Sequence, residues 1–435
     1  MSKSPEPTPT DPTLERREDK QSLLGALGPG LITGASDDDP SGIATYSQVG
    51  AQFGYGLLWV MLFSYPLMAG IQELSARVGR VTGRGIAGNL RQHYARGWLW
   101  FATALVVIAN IINLGADIGA MGDALRLLIG GPALLYAAGF AALSVVLQVF
   151  VTYSRYARIL KWLAATLLAY VATVFVVHVN WIEALKSTVW PHFNLSSSAL
   201  QGLVAVLGTT ISPYLFFWQA SEEVSEMDTH EFEHPLRSSP GQAKVQLGRI
   251  RTDTLIGMAF SNLVAFFIIL TAAVTLHAHG QTDIQTASQA AEALRPLAGQ
   301  FAFVLFAAGI VGTGLLALPV LAGSAGYALG EALHWPVGLE RTPLQARGFY
   351  GIIAVATLLG LGLVLLHIDP IKALFYSAII NGVAAAPIMG LILVMSQNTR
   401  VMGSFTVKGW LRLLGWLATA VMFTAAVALF FTLSK

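Results

Sequence analysis

Eleven apolar segments follow one another along the chain, separated by short polar and charged stretches. A helix needs about 20 apolar residues to cross a hydrocarbon core about 30 Å thick, and each segment is close to that length. The pattern therefore predicts eleven transmembrane helices. They lie at residues 23–52, 55–78, 98–126, 133–153, 159–180, 199–226, 252–278, 299–332, 347–367, 371–395 and 410–433.

Two of these segments carry polar residues and a proline near their middle: the first reads DDDPSG at residues 37–42, and the sixth reads GTTISP at 208–213. An aspartate that faces lipid costs about 2.5–3.5 kcal/mol, and proline removes a backbone hydrogen bond. We expect both helices to unwind there, which is tolerated at membrane depth only where the freed carbonyls line a cavity. For the first break, a loop outside the bilayer is the alternative, but the flanking apolar runs are too short to span alone.

The interrupted segments are the first and the sixth, so each one begins a set of five. Broken helices at matching positions of two halves indicate an inverted-repeat transporter with its site at the midplane. We therefore predict an all-α membrane protein with the LeuT-type fold, in which two inverted five-helix repeats precede an eleventh transmembrane helix. The predicted organisation is a disordered cytoplasmic tail at 1–22, a first repeat at 23–180, a second repeat at 199–395, and the eleventh helix with an extracellular C-terminus at 396–435.

Composition and charge agree with a membrane location. Only 11% of the residues are charged and 54% are hydrophobic, whereas about 25% of the residues of soluble proteins are charged. If the eleven segments alternate across the membrane, 21 of the 26 Lys and Arg residues fall on one side. The positive-inside rule then predicts a multi-pass protein of the plasma (inner) membrane, with the N-terminus cytoplasmic and the C-terminus outside. The chain has no cysteine, which excludes disulfides and thiolate metal sites.

The two breaks predict a cation site built from oxygen atoms. Unwound carbonyls and the C-terminal ends of half-helices present negative dipoles, and the aspartates add full charge. Neither break contains Cys, Met or His, which favours Mg²⁺ or Ca²⁺, with Mn²⁺ as a further candidate. Small residues leave room for the water molecules that Mg²⁺ retains. The candidate residues are Asp38, Asp39, Ser41, Gly42, Thr209, Thr210 and Ser212.

Several polar residues outside the breaks are also candidates. Asp117 is an acid near the membrane midplane and is predicted to belong to the ion path, whereas Asp123 is interpreted as a solvated vestibule acid. Gln219 is placed to hydrogen-bond water on the ion. Glu222 and Glu223 are interpreted as helix-end carboxylates in the cytoplasm, with attraction of cations in an inner vestibule as the alternative.

At these residues the chain resembles the Nramp family of divalent-metal transporters, and most closely its branch of Nramp-related magnesium transporters. The resemblance covers nearly the whole chain from Leu23 and includes the stretch GAQFGYGLLWVMLFSYPLMAGIQELSARVGRVTGRG, which begins at Gly50. The family motif Asp-Pro-Gly-Asn reads Asp-Pro-Ser-Gly at 39–42, and the family motif Met-Pro-His reads Ser-Pro-Tyr at 212–214. The fold that this resemblance implies is the one predicted from the pattern.

The other family positions also differ here. An Asp and a Glu of the family's third helix correspond to Asp117 and Ala120, and a second histidine of the sixth helix corresponds to Gln219. The missing Met removes the soft ligand that favours transition metals, and the missing Asn widens the site. The missing histidines and Glu remove the groups that carry protons in coupled members.

The resemblance thus implies alternating-access import of Mg²⁺ and Mn²⁺, bound partly hydrated and without proton coupling. Asp39 would be the principal carboxylate, and the carbonyls near Ser36 and Thr209 would coordinate the ion. Ser212 and Gly42 would line the enlarged pocket.

Other classes of protein fit the sequence less well. The main alternative is a proton-coupled Mn²⁺/Fe²⁺ carrier, against which the missing Met and histidines count. Three consecutive aspartates would repel the carboxylate of an amino-acid substrate. The sequence shows no Walker-type loop, no paired nucleophile and base, and no channel filter, so we expect neither an enzyme nor a cofactor. The expected partners are divalent metal ions and the lipid bilayer, with no nucleic acid and no evident protein partner, as for a monomer.

Overall fold

The computed structural model describes residues 33–433, apart from 35, 152–164, 192–195, 230–231 and 367. Every regular element in this part of the chain is helical. The main helices are α1 (Pro40–Phe53), α2 (Leu58–Thr82), α3 (Ile86–His93), α4 (Arg96–Ile129), α5 (Ala133–Phe150), α6 (Leu168–Val176), α7 (Trp181–Val189), α8 (Ser197–Thr210), α9 (Pro213–Thr229), α10 (Ala243–Thr275), α11 (Ala302–Leu333), α12 (Arg347–Val364), α13 (Pro370–Gln397) and α14 (Gly409–Leu433). Short helical turns at Ala287–Ala291, Arg295–Ala298 and Thr399–Met402 lie in the connections.

Nine stretches of the described residues are long and apolar enough to cross a membrane. One of them, Pro40–Thr82, holds both α1 and α2, which a 3₁₀ turn at Gly54–Leu57 joins. A shorter apolar helical stretch, Ala165–Val176, falls within the predicted fifth segment. Residues 159–164 of that segment and the predicted tail at 1–22 lie outside the described residues.

The first break is present, and its position follows from the local sequence. Ser36 and Asp37 are helical, the helix stops at Asp38 and Asp39, and α1 begins at Pro40. Asp39 has an extended backbone (φ −71°, ψ 172°) and acts as the N-cap, because its carboxylate accepts a hydrogen bond from the Gly42 N–H. Proline suits the first helical position, since its missing N–H would have no partner there.

The second break separates α8 from α9. Helix α8 ends at Thr210, Ile211 leaves helical geometry (φ −122°, ψ 62°), and α9 begins at Pro213. By contrast, α2, α11 and α13 continue through Pro66, Pro319 and Pro387. The prediction that the first and sixth helices are broken is therefore confirmed.

The broken helices lie in the centre of the bundle. In Ser197–Asp228, which contains α8 and α9, 89% of the most apolar stretch is buried, against 22% for α5. Tight packing of glycines brings these helices close to their neighbours: a Cβ atom on Gly208 would lie 2.0 Å from the Ala378 carbonyl oxygen of α13. Peripheral helices instead expose large apolar side chains such as Phe150 and Phe423, as a lipid-facing surface requires.

Candidate cation site

Asp39 is the polar centre of the first break. Its Oδ1 accepts hydrogen bonds from the Ser41 hydroxyl (2.7 Å) and the Gly42 N–H (2.8 Å). Its Oδ2 faces the other way and accepts from the Asn113 amide (3.0 Å) and the Tyr214 hydroxyl (3.3 Å). The side chain of Asp39 is buried, so the break fixes one carboxylate in the interior and aims it at α4 and α9.

Tyr214 joins the two breaks. Its hydroxyl lies 3.3 Å from the carbonyl oxygen of Ser36 and 3.3 Å from Oδ2 of Asp39. A phenol has one hydrogen, so it satisfies only one of these acceptors at a time. Two acceptor oxygens, one carbonyl and one carboxylate, therefore face the first residues of α9.

Thr209 and Gly42 meet beside this point. A Cβ atom on Gly42 would lie 3.2 Å from the Thr209 hydroxyl oxygen and 3.6 Å from the carbonyl oxygen of Asp37. The ring of Tyr46 would lie 3.3 Å from the same Cβ atom, so the absence of a side chain at Gly42 lets the two breaks approach each other closely.

The other two hydroxyls of the second break bond to their own helix. Ser212 donates to the carbonyls of Gly208 (2.8 Å) and Thr209 (2.9 Å), and Thr210 donates to the carbonyl of Val206 (2.9 Å). Ser212 therefore lines the break and ties up backbone carbonyls that the unwinding frees. Thr210 lies in the wall of α8, and its hydroxyl bonds to the carbonyls of that helix.

The three adjacent aspartates do not point at one place. Asp37 and Asp38 both turn toward α10, where Ser261 donates to Oδ2 of Asp37 at 2.5 Å and lies 3.3 Å from Oδ1 of Asp38. Asp39 contacts α4 and α9 instead. Asp38 and Asp39 are both predicted site residues and both are buried, but their side chains face different helices.

Asp117 and Gln219 differ in what surrounds them. Asp117 is fully buried on α4, and neither of its carboxylate oxygens has a hydrogen-bond partner among the described residues. Gln219 donates to the Thr254 hydroxyl (3.2 Å) and accepts from the Gln72 amide (2.6 Å). Both ends of the Gln219 amide are therefore used in contacts with α2 and α10.

Sequence reasoning missed Asn113 and Ser377. Asn113 of α4 donates to Asp39, and its own carbonyl oxygen accepts from the Ser377 hydroxyl of α13 at 2.8 Å. This chain of hydrogen bonds fixes which end of the Asn113 amide faces Asp39. One signal was available, because Asn113 precedes Asp117 by four residues and so shares its helix face.

The acids nearer the helix ends have partners. Asp123 forms an ion pair with Arg126 of the same helix. Glu222 accepts from the Tyr327 hydroxyl at 2.9 Å, and Glu223 pairs with Arg249 at 2.6 Å. The interpretation of Glu223 as a solvated carboxylate is wrong, because its side chain is fully buried between arginines.

The electrostatics of the centre favour a cation. None of the ion pairs among the described residues involves Asp37, Asp38, Asp39 or Asp117, although all four are buried. Buried ionised carboxylates are costly unless a charge compensates them. Within the described part of the chain, no three side chains of His, Cys, Asp or Glu form a metal-binding group. The donor set here is one carboxylate with carbonyl and hydroxyl oxygens, which suits a cation that keeps some of its water.

Solved structures share this architecture. A crystal structure of the Eremococcus coleocola manganese transporter, in complex with an aromatic bis-isothiourea substituted compound, superposes with a TM-score of 0.76 at 16% identity, covering 97% of this chain and 88% of that one. MhsT in complex with L-phenylalanine gives 0.58 at 16% identity, covering 95% and 98%. Mhp1, a nucleobase-cation-symport-1 family transporter, gives 0.56 at 15% identity, covering 94% and 93%. The class is therefore that of helical membrane proteins with the LeuT-type fold, as predicted.

Sequence comparison identifies the family. The sequence model of the family described as Natural resistance-associated macrophage protein-like, or Nramp, matches residues 30–432, and the chain belongs to this family. The chain is 28% identical over 415 residues to the divalent metal cation transporter MntH of Klebsiella pneumoniae (strain 342), covering 93% of this chain and 94% of that protein. The MntH of Pectobacterium carotovorum subsp. carotovorum (strain PC1) is also 28% identical over 415 residues, with the same coverage. The predicted family is confirmed, and the prediction that the chain is no enzyme is confirmed with it, because these relatives are transporters of metal ions.

Proposed function

We propose that this protein is a divalent metal transporter that imports Mg²⁺, and also Mn²⁺, by alternating access and without proton coupling. The observation that carries the proposal is the meeting of the Asp39 carboxylate and the Ser36 carbonyl at Tyr214, between two broken helices. The named function of the MntH relatives, divalent metal cation transport, supports the cargo class.

The preference for Mg²⁺ follows from the donors. Asp39, Ser36 and Thr209 offer oxygen only, and Ser212 stands where the family has Met. The Ser212 hydroxyl donates to backbone carbonyls. Because this position carries neither sulfur nor imidazole, it offers no ligand that a soft transition metal prefers. A site with a single carboxylate that faces both breaks suits an ion that keeps part of its hydration shell, which Mg²⁺ releases reluctantly.

The proposed absence of proton coupling is supported by Tyr214 and Gln219, which occupy the family's histidine positions. A phenol has a pKa near 10 and an amide does not titrate, so neither side chain takes up a proton near neutral pH. The alternative is a proton-coupled Mn²⁺/Fe²⁺ carrier. Asp117 favours that alternative, because it is a buried carboxylate with no hydrogen-bond partner among the described residues.

We further propose the predicted orientation, a plasma-membrane protein with a cytoplasmic N-terminus, an outer C-terminus and a monomeric state. The distribution of Lys and Arg supports the orientation. The predicted repeats at 23–180 and 199–395 fit the two breaks, each of which opens one set of five helices.

Removal of the Asp39 carboxylate tests the site. In proteoliposomes, Asp39→Ala should abolish Mg²⁺ uptake while the purified protein keeps its thermal unfolding midpoint. Asp123→Ala is the matched control, since Asp123 pairs with Arg126 near the end of α4 and should leave most uptake intact. Uptake by Asp39→Ala at the wild-type rate would show that the ion binds elsewhere.

Two dyes in one vesicle separate uncoupled from coupled transport. With a Mg²⁺ indicator and a pH indicator inside, Mg²⁺ entry down its gradient should leave the internal pH unchanged once the membrane potential is clamped. Acidification in fixed proportion to Mg²⁺ entry would instead establish the proton-coupled alternative, with Asp117 as the first residue to replace.

A further inference from the structure

A cavity of about 250 Å³ lies where α2, α10 and α14 meet, away from the cation site. Its polar wall consists of Glu73 and Arg77 from α2 and Arg251 from α10. Its apolar wall includes Leu255 and Leu414, and a Cβ atom on Gly70 would lie only 3.2 Å from Cβ of Leu414. The cavity therefore has one charged wall and one hydrocarbon wall.

The charged wall carries one positive charge, that of Arg251, which has no ion-pair partner among the described residues. Arg77 donates through Nη2 to Oε1 of Glu73 at 2.5 Å, so these two charges compensate each other. The Nε of Arg77 is buried and has no hydrogen-bond partner among the described residues. Arg251 is exposed and takes part in none of the ion pairs of the described chain. The three charged side chains of the cavity thus have a net charge of +1, and the guanidinium of Arg251 is available to a ligand.

The residues at the rim of the cavity indicate that it lies at the level of the membrane–water interface. Trp410, which is 69% exposed, lines it at the start of α14, two residues after Lys408. Tryptophan is enriched at the level of lipid headgroups, where its ring is half apolar and half polar. Arginine forms paired, charge-assisted hydrogen bonds with phosphate.

We propose that this cavity binds the headgroup of an anionic phospholipid. The phosphate diester supplies the single negative charge that pairs with Arg251, and the acyl chains extend along Leu255 and Leu414. A lipid with an ammonium headgroup is disfavoured, because that second charge faces Arg251. Basic pockets between transmembrane helices bind anionic lipid headgroups in this way.

Native mass spectrometry of the detergent-solubilised protein tests the proposal with phosphatidylglycerol, phosphatidylethanolamine and soluble glycerol phosphate as probes. The wild type should retain one phosphatidylglycerol in preference to phosphatidylethanolamine, and glycerol phosphate should not displace it. Arg251→Gln should weaken this retention about tenfold, as the loss of a charge-assisted pair predicts. Arg412→Gln, which removes an equal exposed charge from α14 outside the cavity, should leave retention within about twofold. Equal retention by Arg251→Gln and the wild type, or equal losses in both variants, would overturn the proposal.

A second measurement leaves the charged wall of the cavity unchanged and does not depend on the folding of Arg251→Gln. Brominated phosphatidylglycerol should quench the fluorescence of Trp410, taken as the difference between the wild type and Trp410→Phe, at lower lipid fractions than brominated phosphatidylethanolamine. Identical quenching by the two lipids would show a lipid-facing tryptophan without a headgroup site and would reject the proposal.

Discussion

At the scale of the residue, the donors around Asp39 determine how it would bind the proposed ion. A carboxylate accepts about four hydrogen bonds; Ser41, Gly42 and Asn113 donate three to Asp39, and Tyr214 donates the fourth whenever its hydroxyl is not bonded to Ser36. The Tyr214 hydroxyl is therefore the donor that a cation would displace most easily. The two donors to Oδ1 belong to the same turn of α1, so the exchange falls on Oδ2, which Asn113 and Tyr214 share.

We predict that Asn113→Ala raises the KM for Mg²⁺ about tenfold, because Asp39 loses a charge-assisted hydrogen bond that fixes Oδ2. Ser377→Ala should act in the same direction but less strongly, since it only frees the Asn113 amide to rotate. Concentration series of Mg²⁺ uptake in proteoliposomes measure both KM values.

Asn110→Ala is the matched control for Asn113→Ala. Asn110 is equally buried one turn earlier on α4, but its amide donates to the Leu321 carbonyl and the Ser324 hydroxyl of α11. Its replacement should lower the unfolding midpoint and leave KM unchanged. An unchanged KM in Asn113→Ala as well would mean that Asp39 does not depend on this amide.

The residues of the breaks could be read from the sequence, whereas their neighbours could not. The free energy of placing three acids beside a proline in lipid is too high, so the sequence alone predicts that Asp39 lies away from lipid. Asn113 lies 74 positions away, and its contact depends on how α4 packs against α1. Gln219 shows the same limit: its spacing suggested the ion path, but Gln72 and Thr254 engage its amide.

At the scale of the element, hydropathy located the helices but underestimated their polar ends. Segment 252–278 was predicted, yet α10 begins at Ala243, because its first turns carry charged residues that a hydropathy pattern excludes. Proline alone also proved insufficient to break a helix, since α2 continues through Pro66. Breaks occur where proline coincides with a polar cluster, as at 37–42 and 208–213.

We predict that Gly208→Ala destabilises the protein by about 1–3 kcal/mol, because its Cβ would overlap the Ala378 carbonyl oxygen and force α8 away from α13. Gly139→Ala in α5 is the control, since a Cβ there meets no atom within 4 Å. That change should stabilise the helix by about 0.5–1 kcal/mol. Thermal unfolding in detergent compares the two, and a Gly208→Ala midpoint at or above the wild type would contradict the close packing.

At the scale of the whole molecule, charged clusters hold the helices together away from the cation site. Arg80 of α2 is completely buried, contacts Glu233, and lies 3.9 Å from Glu223 of α9. Arg249 of α10 joins the same Glu223 at 2.6 Å and pairs with Glu226 at 2.9 Å. Three helices of the two repeats are thus tied by one network that the sequence did not reveal, because its members lie far apart along the chain.

We predict that Arg80→Ala destabilises the protein by about 3–5 kcal/mol, since it leaves a buried Glu223 and its neighbours short of one positive charge. The control Arg295→Ala breaks an exposed pair with Glu292 and should cost no more than about 1 kcal/mol. Thermal unfolding midpoints report both changes. Similar small losses in the two variants would show that Arg249 alone compensates Glu223.

The burial of the oxygen atoms between the two breaks has a consequence for the rate at which ions pass. Asp39, Ser36, Thr209 and Ser212 are each 1% exposed, so these residues between the breaks have almost no contact with solvent in this conformation. An ion enters or leaves only when helices rearrange, which takes roughly microseconds to milliseconds for movements of this size. On the proposed alternating-access mechanism, each rearrangement of the helices moves one ion, and an electrical recording of one molecule should register no steady open current.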